Sequence, residues 1–141
     1  MIKQVIVSGV LLVMSNAALS ADLGLEIRNC VPGKVVMAAL YDKAKSFEDD
    51  RHGRAAFAVT SALAERSTLK TSFRGIKPGR YAVAVYADLN GNHELDSNFV
   101  GMPTEPYGFS RDARSSFGVP SFEQAAFEVG EVGIEQIIHL Q

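Results

Sequence analysis

The chain has 141 residues, of which 47% are hydrophobic and 21% are charged, and its formal net charge is −2. Its hydrophobic content is ordinary for a globular protein, and Cys30 is the single cysteine, which excludes an intramolecular disulfide. No basic stripe is present, which argues against nucleic acid as a partner.

The N-terminal residues have the pattern of a secretory signal peptide. Lys3 precedes an apolar run over residues 5–14, and small residues follow it as far as Ala21. The run is about half of the ~20 residues that cross a bilayer, which disfavours an uncleaved anchor. We therefore expect a signal peptide over residues 1–21, cleavage near Ser20 or Ala21, and a periplasmic or secreted product without a membrane span.

The remaining residues, 22–141, are enough for one domain, and strand patterns dominate its first part. Alternating apolar residues predict a half-buried strand over 23–27. Residues 35–41 are apolar on both faces, which is typical of a central strand. Residues 42–54 are mostly polar and predict a loop. Residues 55–64 fit either a strand or a helix, and we favour a strand.

Two further strands are predicted on either side of a tight turn. Residues 69–74 alternate between apolar and polar, and residues 81–87 place alternate apolar side chains on one face. The turn between them, residues 77–80, has proline and then glycine at its centre, as in a type II turn. We therefore expect the two strands to form an antiparallel hairpin.

The last part of the chain completes the predicted fold. Residues 88–120 carry few periodic apolar residues, whereas residues 121–126 fit one helical turn with Ser121 as its N-cap. Strands are predicted at 127–129 and 132–140. Short strands separated by turns indicate an all-β, antiparallel β-sandwich with about seven strands and one long packed loop.

Three sequence blocks resemble a known family. Residues 78–92 have the sequence PGRYAVAVYADLNGN, residues 101–110 are GMPTEPYGFS, and residues 120–127 are PSFEQAAF. In this order the blocks resemble the DUF2141 proteins, exported bacterial domains of unknown function, over nearly the whole of residues 22–141. His93 stands where that family usually has glycine. The resemblance implies a sandwich similar to prealbumin-like and immunoglobulin-like domains, and it implies no activity.

A short segment after the 81–87 strand has oxygen-bearing residues at every second position: Asp88, Asn90, Asn92, Glu94 and Asp96. The spacing resembles the start of a calcium loop, in which Glu94 would contribute its backbone carbonyl. Glycine is at the fourth position instead of the sixth, and Phe99 stands where the bidentate glutamate would be. We therefore expect weak, structural Ca²⁺ binding, on the order of 10⁻⁴–10⁻³ M. The alternative is an ordinary loop closed by Asx-turns.

Residues 98–120 form a loop that is too long for a simple hairpin connection, and its aromatic residues predict that it packs against the sandwich. Its candidate recognition residues are Glu105, Tyr107, Phe109 and Arg111, with Tyr107 or Phe109 exposed to a partner. The alternative is that the aromatic residues, Phe117 among them, only hold the loop in place. For Glu105, an ion pair with a following arginine is the simpler expectation.

The hypothesis of an enzymatic function has little support in the sequence. The three histidines, His52, His93 and His139, are far apart and form no metal-binding motif. A triad of Ser110, His93 and Asp112 lacks a nucleophile elbow. We therefore predict neither catalytic nor cofactor-binding residues.

The leading functional prediction is an exported binding or interaction module for an unknown protein or saccharide partner in the cell envelope. Calcium at the Asp88–Asp96 segment would stabilise it. The first alternative is a structural accessory domain that pairs with another chain through a sheet edge. The second is a small hydrolase or carbohydrate-active enzyme.

Overall fold

A computed structural model describes residues 20–50, 55–116 and 118–141. Most of the predicted signal peptide, His52 and Phe117 lie outside the described residues. The described chain forms eight strands, two short α-helices and one 3-10 turn, as follows: β1 Ala21–Arg28, β2 Lys34–Tyr41, α1 Ala44–Asp49, β3 Ala58–Ala64, β4 Thr68–Ile76, β5 Gly79–Asp88, β6 Tyr107–Phe109, the 3-10 turn Ser110–Asp112, α2 Phe122–Ala125, β7 Phe127–Val129 and β8 Ile134–His139.

The strands form two packed sheets, which confirms the all-β sandwich prediction. One sheet has three strands in the order β4-β1-β8, and the other has the order β3-β2-β5-β6, with β7 also paired to β5. One pairing departs from the antiparallel pattern, because β8 runs parallel to β1 from Leu23↔Ile134 to Arg28↔His139. The chain therefore ends beside the strand with which the sandwich begins.

Alternating side chains from both sheets fill the space between them. The predicted faces are confirmed, since the buried residues of β1, β2 and β5 include Leu23, Leu25, Ile27, Val36, Ala38, Leu40, Tyr81, Val83 and Val85. Cys30 lies at the margin of this core, where its Sγ donates to the carbonyl of Ile27 at 3.3 Å. Burial raises the pKa of the Cys30 thiol. The cysteine is therefore a small buried core residue.

The predicted β4–β5 hairpin is wrong, because the two strands lie in different sheets. β4 pairs with β1, and β5 pairs with β2. Gly75 has φ +66° and its N–H donates to Asp22 Oδ1, so the chain turns at the edge of the three-stranded sheet. Ile76 and Tyr81, on either side of the turn, both face the core. The predicted type II turn is also wrong, because Gly79 has no positive φ and already belongs to β5. The apolar side chains on both sides of this segment direct the chain from one sheet to the other.

Two segments predicted as loops contain regular structure. Residues 44–49, inside the predicted 42–54 loop, form helix α1, whose Phe47 is buried. Residues 107–109 form β6, which pairs with β5. A Cβ atom at Gly108 would come within 2.8 Å of the His139 carbonyl oxygen, so β6 packs closely against the end of β8.

The predicted N-cap at Ser121 is confirmed. The Ser121 hydroxyl accepts from the backbone N–H of Gln124, and the Gln124 side chain accepts from the N–H of Ser121. This capping box begins α2, which packs with α1 over part of the outer face of the five-stranded sheet. The second buried cluster lies there: Tyr41, Phe47, Ala82, Phe109, Phe122, Ala125 and Ala126. None of the helices among the described residues is long and apolar enough to cross a membrane.

Candidate functional site

The outer face of the five-stranded sheet carries a cavity of about 360 Å³, here called the outer-face cavity. Its floor consists of the outward side chains of β2 and β5, which are Met37, Ala39, Ala84 and Tyr86. The register places Met37 opposite Tyr86 and Ala39 opposite Ala84. All four are half-buried, because the helices cover only the neighbouring part of this face.

Aromatic side chains form one wall of the outer-face cavity. Tyr107 and Phe109 of β6 pair with Tyr86 and Ala84, so they continue the floor. The Phe109 ring packs edge-on against Phe47 and against Tyr107, with centroid distances of 5.8 Å in both cases. The rings are therefore held in place by their contacts with one another.

The opposite wall is a small hairpin over residues 97–103. Ser97 pairs with Pro103, and the side-chain oxygen of Asn98 accepts from the backbone N–H groups of Val100 and Met102. Val100, Met102 and Pro103 line the cavity. Phe99, at the tip, is 100% exposed. The 97–103 hairpin therefore presents apolar side chains while its polar backbone groups are satisfied locally.

One end of the outer-face cavity adjoins the Asp88–Asp96 segment, where two carboxylates are buried. The Asp88 side chain, 3% exposed, accepts from the N–H groups of Gly91 at 3.0 Å and of His93 at 2.9 Å. The Glu105 side chain, 5% exposed, accepts from the N–H groups of Leu89 at 2.6 Å and Asp96 at 2.9 Å. The two carboxylates fix the turn that follows β5.

Asp96 is the point on which the asparagine side chains converge. The amide nitrogens of Asn90 and Asn92 both donate to its carboxylate, the latter at 2.7 Å. The oxygens of the same two amides accept from the backbone N–H groups of Asn92 and Glu94. These are Asx-turns, so the loop closes on hydrogen bonds alone. The described residues hold no group of three or more His, Cys, Asp or Glu side chains that could bind a metal.

His93 occupies a backbone conformation that favours glycine. Its φ is +61°, and Gly91, two residues earlier, has φ +74°. The left-handed region is costly for residues with a Cβ, so a glycine would adopt this conformation more easily than His93 does. The sharp turn expected at the sixth position of a calcium loop is therefore made here by these two left-handed residues.

The negative charge of this segment acts on Tyr86. Burial, followed by the charges of Asp88, Glu105, Glu94 and Asp96, raises the pKa of Tyr86 to about 12. The phenol therefore keeps its proton to a higher pH than an ordinary tyrosine does.

The predicted recognition residues lie in different environments. Phe109 is buried, Tyr107 is half-buried at the cavity, and Arg111 is exposed with φ +59°. The ion pair expected for Glu105 is replaced by its two backbone hydrogen bonds, which satisfy a buried carboxylate without an arginine. Of these four residues, Tyr107 and Phe109 line the cavity, and Glu105 and Arg111 do not.

The three residues considered for a catalytic triad, Ser110, His93 and Asp112, do not form one. The Ser110 hydroxyl is fully buried, donating to the Ala125 carbonyl at 2.6 Å and accepting from the Val83 N–H. Asp112 pairs instead with His139, whose Nδ1 lies 2.7 Å from Asp112 Oδ2. His93 is near Asp88, at 3.9 Å. Ser110 therefore joins β5 to α2, and its buried hydroxyl is not exposed to a substrate.

Sequence reasoning missed the floor of the cavity. Residues 35–41 were recognisable as apolar on both faces, and Tyr86 lies on the outward face of its strand. The signal that was available is this second apolar face, which required a cover. Which part of it stays open depends on how α1, α2 and the 97–103 hairpin divide the face, and no sequence pattern specifies that division.

One comparison with known proteins gave a match. The profile of DUF2141, described as an uncharacterized protein conserved in bacteria, matches residues 30–136. Neither the search of curated proteins nor the search of solved structures gave a match. The matched region covers most of the chain and includes β2 to β7, the cavity floor and the Asp88–Asp96 segment. The chain therefore belongs to the DUF2141 family.

Proposed function

We propose that the protein is an exported binding module and that a small apolar molecule occupies the outer-face cavity. The observation that carries this proposal is a largely apolar cavity of about 360 Å³ on the one sheet face that the helices leave partly open. Small-molecule sites span roughly 300–1,000 Å³ and combine apolar walls with a few polar groups. Since a cavity of roughly 150 Å³ holds one benzene, this one is large enough for a two-ring molecule.

The lining favours an apolar ligand over a saccharide. Saccharides are bound by dense sets of polar side chains, whereas the cavity floor and both walls are mainly methionine, alanine, valine and aromatic residues. Among the polar groups of the lining, Ser97, His93 and the Tyr86 hydroxyl lie at the end next to the Asp88–Asp96 segment, whereas Asp50, which accepts from the Tyr41 hydroxyl, lies toward the Tyr41 end of β2. They would orient a ligand, and the apolar body of the cavity would supply most of the affinity.

Export is supported by the N-terminal pattern of residues 1–21 together with the start of β1. Ala21 pairs with Ile76, and Asp22 accepts from Gly75 N–H, so β1 begins close to the expected cleavage site. Cleavage near Ser20 or Ala21 would leave the sandwich intact. Intact-mass measurement of the protein from the periplasmic fraction and the medium tests this, and recovery of full-length protein in the cytosol would contradict it.

Calcium at the Asp88–Asp96 segment is a second proposal, supported by the convergence of Asn90 and Asn92 on the Asp96 carboxylate. Binding would require both amides to rotate so that their oxygens, not their nitrogens, face the ion. That rotation breaks two Asx-turns, so the affinity stays on the order of 10⁻⁴–10⁻³ M. Asparagine side-chain NMR signals that do not shift with millimolar Ca²⁺ would remove the proposal.

The cavity is tested with a neutral apolar probe, N-phenylnaphthylamine, whose fluorescence rises in apolar surroundings. Ala84→Leu adds three carbons at the centre of the floor, opposite Ala39, where space is available. We expect probe affinity to fall by about tenfold or more, since the added volume displaces the ligand. Ala44→Leu makes the same change at an exposed position of α1 and should leave binding unchanged.

Two results would contradict the proposal. One is a probe that fails to bind the wild-type protein at all. The other is equal loss of binding in the Ala84→Leu and Ala44→Leu proteins, which would place the probe elsewhere. Crystallography or chemical-shift mapping with the probe bound should show contacts at Met37 and Met102.

A further inference from the structure

The charges around the outer-face cavity are unevenly distributed. Among the described residues that line it, none is a lysine or an arginine, and the ionisable groups apart from the tyrosines are Asp50 and His93. An anionic ligand would therefore find no arginine or lysine to pair with in the described lining. The described part of the lining differs in this respect from a site for a phosphate or a carboxylate.

The end of the cavity at Tyr86 is acidic. Asp88, Asp96 and Glu105 lie behind it, and their charges act on the Tyr86 hydroxyl. Their hydrogen bonds come from backbone N–H groups and asparagine amides, which are neutral donors. Lys34 Nζ donates to the Leu89 carbonyl at 3.0 Å, and among the described residues this one lysine does not balance the four carboxylates that act on Tyr86, which include Glu94. A negative potential therefore remains at this end.

Aromatic rings surround the same end. Tyr86 and Tyr107 are paired in register and both half-buried, and Phe109 packs edge-on against Tyr107. The face of an aromatic ring attracts cations, and groups of rings recognise quaternary ammonium ligands. The aromatic rings and the carboxylates thus both favour a positively charged ligand.

We propose that the ligand is an organic cation, an ammonium group carried on an apolar body. The ammonium group lies at the Tyr86 and Tyr107 end, and the apolar body lies against Met37, Val100 and Met102. This inference rests on the proposed binding function of the cavity and specifies the ligand's chemistry. It predicts a preference for positive charge among molecules of the same shape.

The test compares two isosteric probes, phenyltrimethylammonium and tert-butylbenzene, by chemical-shift titration of the mature protein. We expect the cation to bind about tenfold more tightly, because the two differ only in charge. Equal affinity, or tighter binding of tert-butylbenzene, would overturn the inference while leaving the cavity proposal intact. Failure of both probes and of N-phenylnaphthylamine would overturn the cavity proposal itself.

A charge variant separates electrostatics from shape. Asp96→Asn removes one carboxylate that does not line the cavity, and we expect the affinity for the cation to fall about two- to fivefold while that for tert-butylbenzene is unchanged. Glu135→Gln removes one charge from the outer side of the three-stranded sheet and should change neither affinity. Loss of both probes to the same extent in Asp96→Asn, or an equal effect of Glu135→Gln, would contradict the electrostatic account.

Discussion

The two faces of the five-stranded sheet are closed in different ways. The inner face meets the three-stranded sheet, and large apolar side chains such as Leu40 and Val83 are fully buried there. The outer face is covered at one end by α1 and α2 and is left as a cavity at the other. Buried polar groups, among them Ser110 and Glu105, fix the segments around that cavity. They form hydrogen bonds with backbone groups and do not fill the cavity. Stability therefore resides mainly on the inner face, and the outer one is the face on which we propose that a ligand binds.

The largest expected effect comes from truncating the same residue type on each face. Leu40 is fully buried on the inner face, so Leu40→Ala should lower the free energy of unfolding by about 3 kcal/mol. Leu63→Ala, on the exposed side of β3, should cost less than about 1 kcal/mol, since Leu63 is 55% exposed. Denaturant unfolding measures both. Similar losses in the two variants would contradict the division between the faces.

The next effect concerns the polar groups that fix the outer segments. Glu105→Gln replaces a carboxylate that accepts two backbone N–H groups with a side chain that has one acceptor oxygen. We expect a loss of about 2 kcal/mol, because one buried donor is left without a partner. Glu128→Gln, at an exposed position of β7, is the matched control and should change stability by less than about 0.5 kcal/mol. An unchanged free energy of unfolding in Glu105→Gln would show that the loop does not depend on this carboxylate.

A smaller, stabilising effect is expected at His93. His93→Gly removes the cost of a left-handed conformation, about 1–2 kcal/mol, and adds the greater flexibility of glycine in the unfolded chain, about 0.5–1 kcal/mol. The net result should be a gain of about 0.5–1 kcal/mol in unfolding free energy. His93→Ala keeps a Cβ atom and should give no gain. A destabilised His93→Gly protein would indicate that the imidazole contributes to stability at this position.

The sandwich was predictable because its signals are local and repeated. Each inner strand alternates with a period of two, and the double-sided apolar run of β2 indicates a central strand. Ser121 and Gln124 are a capping box within four residues. The hairpin prediction at residues 69–87 was wrong for the opposite reason. The proline-glycine pair at 78–79 favours a tight turn, but which sheet each strand joins depends on residues more than forty positions away, as in the pairing of Leu25 with Thr71.

The site was only partly predictable for the same reason. The Asp88–Asp96 segment was recognised from its spacing, and the roles of Asp88 and Asp96 follow from hydrogen bonds within a few residues. Glu105 bonds to Leu89, sixteen residues away, so its role as a backbone acceptor has no local signature. The cavity is more distant still, because its floor and walls come from β2, β5, β6 and the 97–103 hairpin.

The last expected effect is confined to alkaline pH and would report the acidic end of the outer-face cavity. The Tyr86 pKa is about 12 in the folded protein because of burial and the four neighbouring carboxylates, against about 10 in the unfolded chain. A raised folded pKa means that the folded state holds the proton longer. The corresponding stability is fully present below pH ~10 and is lost as the pH rises through ~12.

Tyr86→Phe should therefore show a smaller loss of stability over this alkaline window than the wild-type protein, and comparison at pH 7 gives the contribution of the hydroxyl itself. The phenolate absorbance difference between the two proteins isolates the titration of Tyr86 from that of the other three tyrosines. In the Asp96→Asn background the same titration should move toward lower pH, because one of the four carboxylates is removed. Parallel alkaline profiles for wild type and Tyr86→Phe would mean that these charges do not reach the cavity, and the preference for a cationic ligand would lose its electrostatic basis.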